Sequence, residues 1–196
     1  MHWIWGDLHA HCAVSYGFGT AERAIANAAS HLDVCSITGH AFWPDIPTDL
    51  EANDATMLKH FGGFEKNRRF WPSLMTTLNR AHEEGTIATL PSYEWHSMRY
   101  GDHNAYAATD VLPLLDAATP AELERALRDA GVDPLVMPHH IGYATGHRGI
   151  DWSSFDAERS PVLEIFSSHG SSEADDAIRP YGENMGFRQG ASTARA

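Results

Sequence analysis

The stretch Trp3-Ile4-Trp5-Gly6-Asp7-Leu8-His9-Ala10-His11 decides how the rest of the chain is read. Residues 3–8 form a short aromatic and aliphatic run of the kind that builds a buried strand, and the run ends on two imidazoles. Side chains alternate in extended backbone, so His9 and His11 point to one side and can hold a single ion. The same event recurs along the chain. Val34-Cys35-Ser36-Ile37-Thr38 runs into Gly39-His40. Residues 86–90 continue past Pro91 into Ser92-Tyr93-Glu94-Trp95, and His103-Asn104-Ala105-Tyr106-Ala107 reads as a fourth strand opened by a histidine. Pro134-Leu135-Val136-Met137 leads into Pro138-His139-His140, and Val162-Leu163-Glu164-Ile165-Phe166 reads as a sixth strand.

Helical signals lie between the strands. Thr20 is a cap before a segment rich in alanine starting at Ala21. Residues 64–84 carry a helical pattern in which Pro72 marks a break or a fresh start, and Gly85 suits the left-handed position after it. Thr119-Pro120-Ala121-Glu122 combines a cap, a first-turn proline and a capping-box glutamate, and predicts a helix running to Ala130 before Gly131. Residues 42–55, with Pro44 and Pro47, read as a surface loop. Short strands alternating with helices or long loops, apolar enough to be buried on both faces, predict one α/β domain over residues 1–196 with a mainly parallel sheet.

Composition narrows the function. The chain has 196 residues and a net charge of −12, which repels a polyphosphate backbone and argues against nucleic acid as a partner. No apolar run is long enough for a membrane span, and residues 1–7 do not resemble a signal peptide. Cys12 and Cys35 offer neither a disulfide framework nor zinc-finger spacing, and reduced thiols predict a cytoplasmic protein. Histidine is the departure from the ordinary: thirteen, against fourteen lysines and arginines together. Imidazole is the commonest protein ligand for metals. At the C-terminal ends of parallel strands in an α/β barrel, side chains converge on one mouth. His9, His11, His40, Glu94, His103 and His139 at such ends would supply a histidine–carboxylate set suited to zinc, manganese or iron.

Gly6-Asp7-Leu8-His9-Ala10-His11, Thr38-Gly39-His40, Glu94, His103 and Pro138-His139 resemble, in order and spacing, the motifs of the polymerase and histidinol phosphatase (PHP) superfamily. Tyr93-Glu94-Trp95 with His103-Asn104, and residues 162–173, are similar to a bacterial branch called domain of unknown function 3604. The resemblance covers essentially the whole chain. It implies a distorted (β/α)7 TIM-like barrel and a phosphoesterase that uses a metal-activated water on a small-molecule phosphate ester. Carried residue by residue, His9, His11 and Glu94 would hold one ion, Glu94 would bridge to a second held by His103 and His139, and His40 would belong to a third. One or two ions are expected. The family pattern places a ligand near Gly17 and an Asp at Gly39, and closes with Ser-Asp-x-His. Residues 186–196 lack that last motif, so the barrel is expected to be truncated before its final strand, with an open edge through which copies can associate.

His169 and His140 are the candidate proton donors to a leaving group. Of His139 and His140, adjacent and therefore divergent, one is expected at the mouth. Three bland readings stand beside these. The His9/His11 pair can be a loop pair on the surface, Glu94 can be partnered by Arg99 instead of a metal, and Cys12 can be simple packing. His2, His31, His60, His82, His96 and His147 read as surface or capping residues. Two other functions remain open: a catalytically impaired metal-binding or interaction module on the same scaffold, and an amide or ester hydrolase on the same site.

Overall fold

The computed structural model describes residues 2–48, 54–174 and 176–179. Its elements run β1 (Gly6–Ala10), α1 (Ala21–Ala29), β2 (Val34–Ile37), β3 (Gly39–Phe42), α2 (Asp54–Glu83), β4 (Ala88–Leu90), β5 (Ser92–Trp95), β6 (Asp102–Ala107), α3 (Pro120–Asp129), β7 (Pro134–His139), β8 (Phe166–Ser167) and β9 (Gly170–Ser171). The architecture is mixed α/β.

Two sheets, ordered β1-β2-β4 and β3-β5-β6-β7, share a seam. β2 and β3 are consecutive pieces of one path interrupted at Thr38, and β4 and β5 are interrupted at Pro91, which has no N–H to give a ladder. β1, β2 and β4 are parallel, as are β3 and β5. The expectation of a mainly parallel sheet fails at β6, which runs antiparallel to both β5 and β7. Among the described residues the strands do not close into a barrel. The sixth strand expected over residues 162–166 also shrinks to β8, paired with β9 in a small hairpin.

Period-two alternation sorts the strand side chains. On one face Ile37, Tyr93, Trp95, Ala105 and Ala107 enter the apolar core, where they meet Ile25 of α1, Trp71, Leu74 and Leu78 of α2, and Leu123 and Leu127 of α3. The aromatic polar tips are satisfied there by backbone: the Tyr93 hydroxyl donates to Leu115 O at 3.0 Å, and Trp95 Nε1 to Ala117 O at 3.2 Å. The residues of opposite parity, Ser36, Thr38 and His40, then Ser92, Glu94 and His96, are buried and polar. The core therefore sits under the helices, and the other face of the sheet carries the chemistry.

Capping follows the sequence closely. Thr20 accepts from Arg23 N, and Thr119 from Glu122 N, at the starts of α1 and α3. α2 starts earlier than residue 64 and runs through Pro72 without a break. The opening run also differs: Trp3, Ile4 and Trp5 precede β1 and are 67–75% exposed, not buried. No helix among the described residues is long and apolar enough to cross a membrane.

Candidate metal centre

Glu94 is the middle of the polar face. Strand β5 lies between β3 and β6, so its inward carboxylate is completely buried and has neighbours from both sides. Its two oxygens divide the surrounding histidines. Oε2 lies 2.6 Å from His40 Nδ1, 3.6 Å from His11 Nε2 and 3.9 Å from His9 Nε2. Oε1 lies 2.7 Å from His139 Nε2 and 3.5 Å from His96 Nδ1. Three overlapping groups have ligand atoms within 4.8 Å of one another: His9, His11 and Glu94; His40, Glu94 and His96; and Glu94, Asp102, His139 and His140. Glu94 belongs to all three.

Local backbone explains how adjacent residues can both arrive. His139 ends β7 pointing inward. His140 has φ of 53°, a left-handed conformation uncommon for a non-glycine residue, and this breaks the alternation that would turn it away. Both imidazoles therefore join the cluster, with ring centroids 4.3 Å apart. His169, in the β8–β9 turn, meets the edge of His140 at 4.4 Å. Both His140 and His169 line a cavity of about 730 Å³ whose walls include His9, His11, His40, Lys59 and Arg148.

His103 goes elsewhere. The β5–β6 register pairs it with Trp95, on the apolar side, while Glu94 faces Asn104. Its Nδ1 sits 3.0 Å from Gly101 O and its ring packs against the Trp95 ring. Asp102, of the same parity as Asn104, takes the inward place instead. His96 and His60, expected at the surface, are buried. His96 Nε2 is 2.9 Å from His40 Nδ1, and His60 Nδ1 is 3.1 Å from the Tyr16 hydroxyl. Glu164, unassigned by sequence, contacts His9 Nδ1 directly. Arg99 does not partner Glu94: its backbone N–H donates to Asp45 and its guanidinium lies over Tyr100.

The backbone at Gly17 and Gly39, two positions where ligands were expected, is closely packed. A Cβ on Gly17 would lie 2.7 Å from Cys12 O, and one on Gly39 would lie 2.9 Å from Asn67 Oδ1. The Asn67 amide fills that space and donates to the carbonyls of Gly39 and His40. Cys12 is completely buried in the apolar core. Residues 186–196, on which the expectation of a truncated last strand falls, lie outside the described residues.

Burial strips water from most of these rings and lowers their pKa: to about 4 for His11, and well below the ordinary value for His40 and His140. The shift favours the neutral imidazole, the form that ligates metal. His9 is the exception. Burial lowers it too, but the hydrogen bond to Glu164 and the negative charges of Glu94 and Glu164 more than offset this and raise it to about 10. Burial alone would push Glu94 upward; the surrounding imidazoles hold it below the usual carboxylate range. The donor set fits a divalent ion on a second count. Buried His9 Nε2, His11 Nδ1, His139 Nδ1 and His140 Nδ1 make no hydrogen bond, although unpaired buried polar atoms are costly. Nitrogen and carboxylate donors of this kind suit zinc, manganese or iron.

Comparison with protein-family models gives no match, and comparison with curated proteins gives none. Among solved structures the chain is similar to PsfC of Pseudomonas syringae, with a TM-score of 0.51 at 17% identity, covering 84% of this chain and 66% of that one. A two-domain protein of Bacteroides vulgatus, described as containing a predicted PHP-like metal-dependent phosphoesterase, superposes with a TM-score of 0.43 at 17% identity over 80% of this chain. The chain spans 66% of the first protein's length and 40% of the second's. At this identity the likeness to PsfC establishes a shared fold and nothing about its chemistry.

Proposed function

We propose that the protein is a metal-dependent hydrolase of the PHP type, with a small-molecule phosphate ester as substrate. The observation that carries the reading is Glu94, a completely buried carboxylate with imidazoles on both of its oxygens. A carboxylate is buried at such cost only where cations compensate it. His9, His11 and His40 are the residues that would hold an ion with Glu94 on the Oε2 side, with Glu164 orienting His9 as a carboxylate orients a metal-bound histidine. A divalent ion there lowers the pKa of bound water and neutralises charge developing on a phosphoryl group.

The chain's own residues supply the rest. Lys59 on the cavity wall provides positive charge for an anionic substrate, which favours phosphate esters over neutral esters and amides. His140 and His169 stand edge to face at the same wall, placed to give a proton to a leaving oxygen. Tyr16 stacks on His40 at 3.8 Å and shields that ring from solvent. The PHP-type barrel and a cytoplasmic location belong to the same proposal. The test is hydrolysis of p-nitrophenyl phosphate by protein loaded with zinc, manganese or iron, beside Glu94→Gln. The expected result is metal-dependent turnover in the parent and a loss of at least ~100-fold in the variant. Equal turnover in both would sink the assignment.

A further inference from the structure

Beside the Oε1 side of Glu94, Asp102 and His96 are met by a cation that belongs to the chain. Arg148 sits in the loop after β7 with φ of 71°, between Gly146 at φ 81° and Gly149. A Cβ on Gly149 would lie 2.0 Å from Tyr143 O, so the loop closes only with glycine there. The N–H of Asp102 donates to Arg148 O, and Arg148 N–H donates to Met98 O, both at 3.3 Å. These bonds fix a residue whose left-handed backbone is costly for any side chain but glycine. The result is a guanidinium carried deep into the polar face.

Nη2 of Arg148 donates to Asp102 Oδ2 at 2.5 Å and lies 3.0 Å from His96 Nδ1. The same His96 Nδ1 is 3.4 Å from Asp102 Oδ1 and 3.5 Å from Glu94 Oε1. Asp102 belongs with Glu94, His139 and His140 to one group that could hold a metal ion, and His96 with His40 and Glu94 to another. Asp102 Oδ2 and His96 Nδ1, however, are turned onto the guanidinium, while Asp102 Oδ1 accepts from Ser97 N at 3.3 Å. Trp43 lies under it, with Cζ 5.0 Å from the ring, and excludes solvent from that side.

We propose that Arg148 is a resident cation that takes the place of a metal ion at the position bounded by Asp102, His96 and Glu94 Oε1. It confines metal binding to the Oε2 side, with His9, His11 and His40. An arginine is suited to this because it stays charged at every physiological pH and bonds a carboxylate directionally. Asp102 is then a partner of Arg148 and not a metal ligand. The inference rests on the metal-centre reading above and adds which half of the cluster is open to ions.

The experiment is metal stoichiometry by elemental analysis after equilibrium dialysis against Mn²⁺ or Zn²⁺, with circular dichroism to check folding. Wild type, Arg148→Ala, Arg148→Lys and Arg148→Ala/Asp102→Asn are compared. Arg148→Ala is expected to bind about one more equivalent than wild type, and the double variant and Arg148→Lys to lack that gain. An Arg148→Ala protein that folds and binds the same number of ions overturns the proposal. Should Arg148→Ala fail to fold, Asp102→Asn alone decides: unchanged stoichiometry supports the proposal, and loss of an equivalent overturns it. Wild type without any metal would overturn the metal-centre reading itself, an outcome read from that arm alone.

Discussion

Removing metal from the cluster should cost stability, by an amount that the geometry bounds. Without an ion, His9 Nε2, His11 Nδ1, His139 Nδ1 and His140 Nδ1 stay buried with no hydrogen bond. Each such atom costs about 1–3 kcal/mol relative to a paired one, so the metal-free cluster is strained and an ion relieves it. An ion held a thousandfold below its free concentration stabilises the folded state by about 4 kcal/mol. For a chain of this length each kcal/mol moves the melting temperature by about 2–4 °C, so the expected rise is about 8–16 °C. The assay is scanning calorimetry in chelator and then in graded Zn²⁺ or Mn²⁺, with Glu94→Gln as control. The melting temperature should climb with metal in wild type and stay flat in the variant. A wild-type melting temperature that ignores both chelator and metal would refute the reasoning, because the orphaned atoms would then have no ion to satisfy them.

Metal uptake at pH 7 should release about one proton, because His9 is protonated in the metal-free protein and must lose that proton to ligate, whereas His11 is already neutral. Calorimetric titration in buffers of different ionisation enthalpy reads this directly, and zero release would contradict it. By linkage, the stability that protonated His9 gives the metal-free protein is fully present below its unfolded pKa near ~6.5, and is lost as pH rises toward about 10. Denaturant melts of metal-free protein between those limits should show the fall. His103→Ala should lower stability by about 2 kcal/mol through lost packing and leave metal stoichiometry unchanged, the opposite of His11→Ala. Gly63→Ala should disturb the site from a distance, since its new Cβ would lie 2.3 Å from Tyr16 Cδ1 and displace the ring stacked on His40. Weaker metal affinity by about tenfold is expected, measured by competition with a chelating dye. Lys59→Ala should raise KM for a phosphate ester with little change in kcat, as expected for a group that binds the substrate and its transition state equally.

The convergence of His9, His11, His40, Glu94 and His139 was legible because each ends or follows a strand, and strand ends meet. What was not legible is strand direction and register. His103 sits one residue from an inward position, and only the antiparallel pairing of Trp95 with His103 decides that it faces the core. A slip of one residue exchanges the faces, and periodicity does not choose between them. His96 did have a signal: Glu94-Trp95-His96 repeats the spacing of His9-Ala10-His11, so it shares a face with Glu94. His140 had none, because its left-handed backbone overrides alternation. His60 on α2, Glu164 and Arg148 come from segments distant in sequence, and folding alone brings them to the cavity. Among the helices, capping residues placed α1 and α3 within a residue or so, whereas α2 outran its apolar pattern and absorbed Pro72.

The central claim is that Glu94 and its histidines bind metal. Elemental analysis of purified, untagged protein beside a His9→Ala/His11→Ala/Glu94→Ala variant tests it most directly. The account predicts one or two equivalents of zinc, manganese or iron in the parent and their loss in a variant that remains folded. A folded parent that binds no metal even when it is supplied would contradict it.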